Sequence, residues 1–201
     1  MKDIFYFEEL NMASHYDKGK IHNVVLNTDV KPGYFVKVTG IAPGKFYGVH
    51  RVNYSTLTAE SATSTSDDGG ILVLDPSSVN EVQVNGNVFR IGETLYNHTI
   101  PAGTPVRARE LRMLDRFYLG RLNFDGTEPQ VGDYAVLTDN GSFKLKVASQ
   151  SDLDAAQFVV KIVEVTTKTA GATAAFKVYG CLVVRASAIV VTQVVTQINN
   201  N

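Results

Sequence analysis

Residues 85–147 constrain the fold more than any other part of the chain, because they repeat one simple pattern. Short runs of alternating apolar and polar residues are closed, one after another, by Gly, Pro or an Asn-Gly pair. This pattern is typical of antiparallel strands joined by tight turns. The strongest turn signals are Asn85-Gly86 and Asn140-Gly141, since both residue types tolerate the positive φ of a type I′ turn. The sequence therefore predicts an all-β protein, an antiparallel β-barrel or sandwich with at most short helical turns.

The strand pattern continues on both sides of this block. Further strands are predicted at 34–40, 46–52, 71–74, 158–165 and 175–186. Residues 53–70 are rich in Ser, Thr, Ala and Asp, which predicts a long polar loop. Residues 106–119 are predicted as strand, with a β-bulge near Glu110 that reconciles the two apolar faces of the run. A single helical turn is predicted from Ser151, because serine caps helix N-termini.

The two ends of the chain differ from this central region. We divide the sequence into an N-terminal arm at 1–30, a β-rich core at 31–186 and a C-terminal strand or tail at 187–201. A core of that length is large enough for one well-buried domain or for two small β-subdomains. Both arrangements agree with the strand pattern.

Both ends carry apolar residues that are candidates for contacts with another chain. In the arm, Phe5, Tyr6 and Phe7 belong to a frayed terminus, to a short helix at 6–12, or to a segment that reaches a neighbouring subunit. The tail is dense in β-branched residues and has no charged side chain, so as a free edge it would aggregate. We therefore predict that its own sheet or a partner chain covers it. The candidate contact residues in the tail are Ile189, Val191 and Val194.

No group of residues has the spacing of a catalytic or metal-binding site. The histidines are His15, His22, His50 and His98. They lack the i, i+4 spacing and the paired cysteines typical of zinc ligands. The lone Cys181 lies in an apolar run, which predicts a buried, inert thiol. Asp115 and Asp133 border turns, where a carboxylate ordinarily accepts backbone N–H groups. The sequence thus predicts a protein that is not an enzyme and binds no metal or cofactor.

The overall charge argues against nucleic acid and membrane partners. The formal net charge is −1 and the pI is near 6.4, so no general attraction to phosphates is expected. No apolar run approaches the ~18 residues that span a bilayer. Two glutamates interrupt the apolar N-terminus, which is not typical of a signal peptide. We therefore expect synthesis in a cytoplasm and a soluble protein.

One local concentration of basic charge departs from this balance. The run comprises Arg107, Arg109, Arg112, Arg116 and Arg121. On a strand, Arg107 and Arg109 point to one side and form a charged stripe. The stripe either binds acidic groups on a partner or is a solvated outer face.

The order of these turn-and-strand motifs resembles the decoration proteins, or auxiliary head proteins, of tailed bacteriophages. The resemblance covers roughly residues 30–186. It is carried by Gly33–Val38, Asn87–Gly92, Pro101–Ala108, Asp115–Leu119, Val131–Val136, Asn140–Leu145 and Phe158–Glu164. The resemblance implies a virion structural protein on the outside of the capsid, with no catalytic residues. It also implies binding to the major capsid protein and assembly as a homo-oligomer, with a trimer favoured.

Four alternative functions share parts of this pattern. A head-fibre anchor or a tail-associated β-domain would have the same composition. A carbohydrate-binding module or a lyase-like enzyme is the alternative outside virion proteins. The absence of tryptophan from the sequence removes the usual platform on which sugars stack.

Overall fold

The structure, a computed structural model, describes residues 5–7, 21–42, 46–47, 50–51, 56–63, 72–74, 81–84, 87–90, 99–170 and 174–186. In chain order the strands are β1 (Phe5–Phe7), β2 (Ile21–Val25), β3 (Phe35–Ile41), β4 (Phe46–Tyr47), β5 (His50–Arg51), β6 (Thr56–Ser61), β7 (Leu72–Leu74), β8 (Glu81–Val84), β9 (Asn87–Arg90), β10 (Val106–Glu110), β11 (Arg116–Gly120), β12 (Phe124–Asp125), β13 (Tyr134–Leu137), β14 (Leu145–Val147), β15 (Val159–Ala170) and β16 (Ala174–Arg185). A 3-10 helix at Arg121–Asn123 follows β11, and helix α1 at Gln150–Ala155 precedes β15.

Five of the strands close into a small barrel. Their order around the barrel is β10-β2-β6-β3-β7. Neighbouring strands are antiparallel except β2 and β6, which run parallel. Because side chains alternate between the two faces of a strand, every second residue faces the barrel interior. The buried apolar residues that fill this interior are Val24, Leu26, Val30, Val36, Ala59, Leu74, Ile100 and Ala108.

Seven strands form a second, open sheet. Its order is β1-β11-β16-β15-β13-β14-β12. The long hairpin of β15 and β16 lies at its centre and pairs along almost its whole length. All neighbours in this sheet are antiparallel except β12 and β14. Two short hairpins complete the described strands: β4 pairs with β5, and β8 pairs with β9.

One buried cluster joins the barrel to the open sheet. Phe35, Ala62 and Val73 come from the barrel side, and thirteen further buried residues come mainly from β11, β13, β15 and β16. Phe35 is fully buried, and its ring centroid lies 6.1 Å from that of Phe117 and 5.8 Å from that of Phe158. Contacts of this kind stabilise through both buried area and ring geometry. The outer wall of the barrel therefore packs on one face of the sheet.

The all-β prediction is confirmed, and several of its elements are where the sequence placed them. The strands predicted at 34–40, 71–74, 158–165 and 175–186 correspond to β3, β7, β15 and β16. The strands on either side of Asn85-Gly86 pair as a hairpin, with Val84 opposite Asn87.

Four local predictions were wrong. Within the predicted strand at 46–52, the described residues form two short strands, β4 and β5, which pair with each other. The predicted polar loop at 53–70 contains β6, whose small residues Thr56 and Ala59 are buried in the barrel wall. Helix α1 begins one residue before Ser151 and is capped by Ser149. The single strand predicted at 106–119, with a β-bulge near Glu110, is instead two strands, β10 and β11, which belong to different sheets and are joined by a turn. Among the alternatives for the N-terminal arm, a short helix at 6–12 does not hold at residues 6 and 7, which are in β1.

The turn at Asn140-Gly141 is wider than predicted. β13 and β14 pair through Leu137 and Leu145, so seven residues connect them. Gly141 has a φ of 73°, but Asn140 is not in the positive-φ region, so the turn is not type I′. The second positive φ in this connection belongs to Phe143, at 64°.

Candidate functional site

Strand β10 carries the two arginines predicted to form a stripe. Ala108 and Glu110 are buried, whereas Arg107 is exposed and Arg109 is partly exposed. The two arginines therefore lie on the outer face of the barrel. Arg109 is paired across the strands with Val73, which belongs to the cluster between barrel and sheet. Because directly paired residues share a face, the stripe runs beside the junction of the barrel and the sheet.

A tight turn at 112–115 connects β10 to β11, and four hydrogen bonds fix its shape. The Arg112 N–H donates to Asp115 Oδ2 over 2.8 Å, and the Asp115 N–H donates to the Arg112 carbonyl over 3.0 Å. Val183 of β16 accepts from the Leu114 N–H and donates to the Asp115 carbonyl, both over 2.9 Å. Asp115 is 0% exposed. The prediction that this carboxylate caps backbone donors is confirmed, as it is for Asp133, which accepts the Gln130 N–H over 2.8 Å.

Met113 and Leu114, the apolar tip, form the end of this turn. The two residues are 56% and 64% exposed, respectively. Leu114 also has a φ of 75°, a region that bulky side chains rarely adopt and that costs on the order of 1–3 kcal/mol. Glycine or asparagine would adopt the same backbone with less strain. A leucine here is therefore unfavourable twice over, in backbone energy and in solvation.

Strain that the surroundings hold in place is a mark of functional sites. The apolar tip combines that strain with a rigid frame, since buried Asp115 and strand β16 fix the backbone on both sides. Arginines precede and follow it at Arg112 and Arg116, and Arg116 Nη2 lies 3.9 Å from Glu164 Oε2. A rigid apolar projection beside cationic side chains is suited to a protein surface that offers an apolar depression edged with carboxylates.

A second polar cluster lies at the opposite edge of the sheet, around Asp125 on β12. Its carboxylate accepts hydrogen bonds from the Ser142 hydroxyl at 2.5 Å and the Asn140 amide at 3.2 Å. Lys144 Nζ lies 3.7 Å away. Burial alone would raise the pKa of Asp125, but these hydrogen bonds and the lysine charge together hold it below its usual value. An open depression of about 410 Å³ lies beside the cluster, lined by Asp125, Gly126, Thr138, Asp139, Asn140 and Lys146.

The remaining predicted residues divide between the sheet edge and the chain outside the described ranges. Phe5, Tyr6 and Phe7 form β1, whose backbone pairs with β11 of the same chain. Ile189, Val191 and Val194 lie outside the described residues, as do His15 and His98. Contact of these apolar residues with a partner stays a prediction.

The prediction for the single cysteine is confirmed. Cys181 is fully buried on β16, and the desolvation that accompanies burial raises the pKa of its thiol far above the ordinary value. A thiol held in the protonated form is a poor nucleophile. Within the ranges that the structure covers, no three His, Cys, Asp or Glu side chains are grouped so that they could hold a metal ion.

Sequence reasoning missed the apolar tip. The signal was present as Met113 and Leu114 between arginines and Asp115, but positive φ is expected at Gly, Asn or Asp rather than at leucine.

None of the helices in the described part of the chain is long and apolar enough to cross a membrane. No family model matches the chain, and no curated protein matches it.

Proposed function

We propose that the chain is a structural protein of a tailed-phage particle that binds the outer surface of the capsid and stabilises contacts between capsomers. The order of turn and strand motifs over residues 30–186 supports this proposal through its resemblance to decoration proteins. The partners are the major capsid protein and further copies of the same chain, with a trimer favoured.

The apolar tip is the observation that carries the proposal. Met113 and Leu114 remain more than half exposed on a backbone that four hydrogen bonds hold rigid. A contact residue that is already ordered loses little conformational entropy on binding, so more of its buried apolar area contributes to affinity. Large side chains that enter a pocket on a partner are typical of residues that dominate binding energy.

The arginine stripe supplies orientation in this proposal. Arg107 and Arg109 lie on one face of β10, a few residues before the tip. Charges at the rim of an interface mainly affect the association rate and its salt dependence, whereas buried apolar anchors affect dissociation. We therefore propose that the tip enters an apolar depression on the capsid surface and that the arginines bind carboxylates around that depression.

Reconstitution on bare shells of the cognate phage tests the proposal. The protein should sediment with the shells and raise the temperature at which they disrupt, because it binds the assembled state. Negative-stain images should place the added density on the head. Density on the tail or on a fibre would instead favour the head-fibre anchor or tail-associated β-domain. Absence of binding, with no change in shell stability, would contradict both.

A further inference from the structure

We propose that Asn140 is a site of spontaneous deamidation whose product weakens the junction between the barrel and the open sheet. Asn140 and Gly141 are both exposed in the connection between β13 and β14. Gly141 has a φ of 73°, and a Cβ built on it would meet no atom within 4 Å. Position 141 thus has no side chain of its own and no neighbouring atom that crowds the place of a Cβ.

Two hydrogen bonds define the environment of the Asn140 side-chain amide. Its side-chain carbonyl accepts the Ser142 N–H over 3.0 Å, which polarises the amide carbon. Its side-chain nitrogen donates to Asp125 Oδ2 over 3.2 Å, which restrains the amide in one orientation. Among the described residues, the Gly141 N–H has no acceptor that would oppose its loss of a proton to solvent base.

The chemistry requires only water. The Gly141 nitrogen loses its proton to a solvent base and attacks Cγ of Asn140, so that a C–N bond forms and closes a five-membered succinimide. The side-chain nitrogen leaves as ammonia after it takes up a proton from solvent. Water then adds to either carbonyl of the ring and breaks one ring C–N bond. The products are aspartate or isoaspartate at position 140, and no oxidant or reductant takes part.

The product changes the charge next to Asp125. An amide that donated a hydrogen bond becomes a carboxylate, so two negative charges lie within a few ångströms of each other. The connection between β13 and β14 also contacts the barrel, through Phe143. The Phe143 carbonyl accepts the Phe35 N–H over 2.9 Å, and the Phe143 ring stacks on Tyr34 with centroids 5.5 Å apart. Isoaspartate would also lengthen the main chain of this connection by one methylene.

Two measurements test the proposal. During incubation in mildly alkaline buffer, peptide mapping should show conversion of Asn140 with release of ammonia, and isoaspartyl methyltransferase should label the product. Asn140→Gln provides the matched control and should remain unlabelled at this position. An Asn140 that stays intact in the folded protein, while a peptide of the same sequence converts, would overturn the first half of the proposal.

The effect on the junction is measured with the stable mimic Asn140→Asp. We expect its Tm to fall by about 2–4 °C, because the new carboxylate repels that of Asp125. In an Asp125→Asn background the same substitution should have less than half that effect, because the opposing charge is gone. Equal effects in both backgrounds, or no effect in either, would overturn the second half.

Discussion

Gly180 of β16 lets side chains from the two strands that flank it meet on one face of the open sheet. It lies on β16 between Tyr118 of β11 and Glu164 of β15, which are its direct partners on either side. The Tyr118 ring lies across this position, and its hydroxyl donates to Glu164 Oε2 over 2.7 Å. An aromatic ring that covers a glycine in this way replaces the packing that the missing side chain would have provided.

Gly180→Ala should therefore destabilise the protein by about 1–3 kcal/mol, the range for overpacking a filled site. A Cβ at this position would lie 3.1 Å from the Glu164 Cβ and 3.2 Å from Tyr118 Cε1, and the first of these atoms is close to the backbone. Urea denaturation measures the change. Tyr118→Phe is the companion variant, since it keeps the ring and removes the hydrogen bond. A Gly180→Ala protein as stable as wild type would show that the strands separate easily here.

Helix α1 is stabilised by a cap at its N-terminus, and the capped helix packs on the open sheet. Ser149 caps it: the Ser149 side chain accepts the Asp152 N–H over 3.3 Å, and Asp152 in return accepts the Ser149 N–H over 2.9 Å. This reciprocal pair is a capping box. The helix brings Leu153 and Ala156 onto Val136 and Val159, so the cap also holds a small apolar cluster on the sheet.

Ser149→Ala should lower the free energy of unfolding by about 1 kcal/mol, because it leaves helix N–H groups without an acceptor. Urea denaturation measures this change.

The pH dependence of stability provides a separate test of the same cap. Hydrogen bonds from Lys146 and Ser149 lower the pKa of Asp152 from 3.8 to about 2. A depressed carboxyl pKa contributes stability above the unfolded value, and this contribution is lost as the pH falls from about 4 to about 2. In Asp152→Asn, acid titration followed by circular dichroism should lack this part of the loss; an unchanged acid profile would contradict the assignment.

The elements that the sequence predicted correctly share one property, a local pattern that agrees with their environment. β15 and β16 are long, β15 is rich in β-branched residues and β16 in apolar ones, so propensity and burial favour strand in both. β6 was missed because its Thr, Ala and Ser residues are also loop residues, and only closure of the barrel makes them strand. The cap of α1 was misplaced because Ser149 and Ser151 both suit that position. The strain at Leu114 arises from tertiary hydrogen bonds, which no local pattern contains.

In the described structure as a whole, Phe35 connects the barrel to the open sheet. It belongs to a barrel strand, yet its ring packs on Phe117 and Phe158 of the open sheet. Asn123 adds a polar link, since its side-chain amide donates to the Pro32 carbonyl over 3.3 Å. A core shared in this way should couple the unfolding of the barrel to that of the sheet.

Phe35→Ala should cost about 3–5 kcal/mol, the range for removing a buried aromatic ring. Hydrogen exchange in wild type should give the slowest amides of β3 and β16 the same opening free energy, as expected for one cooperative unit. Clearly different values for the two strands would instead indicate two subdomains that unfold separately.

Leu114→Asn is the sharpest test of the proposal that the strained apolar tip binds the capsid. Asparagine tolerates the φ of this position and removes the exposed apolar side chain, so Tm should be unchanged or higher while affinity for bare shells falls about 10-fold or more. Val131→Ser is the matched control, because Val131 is 62% exposed in a different turn, and it should bind as wild type does. An affinity for shells that is unchanged in Leu114→Asn would contradict the account.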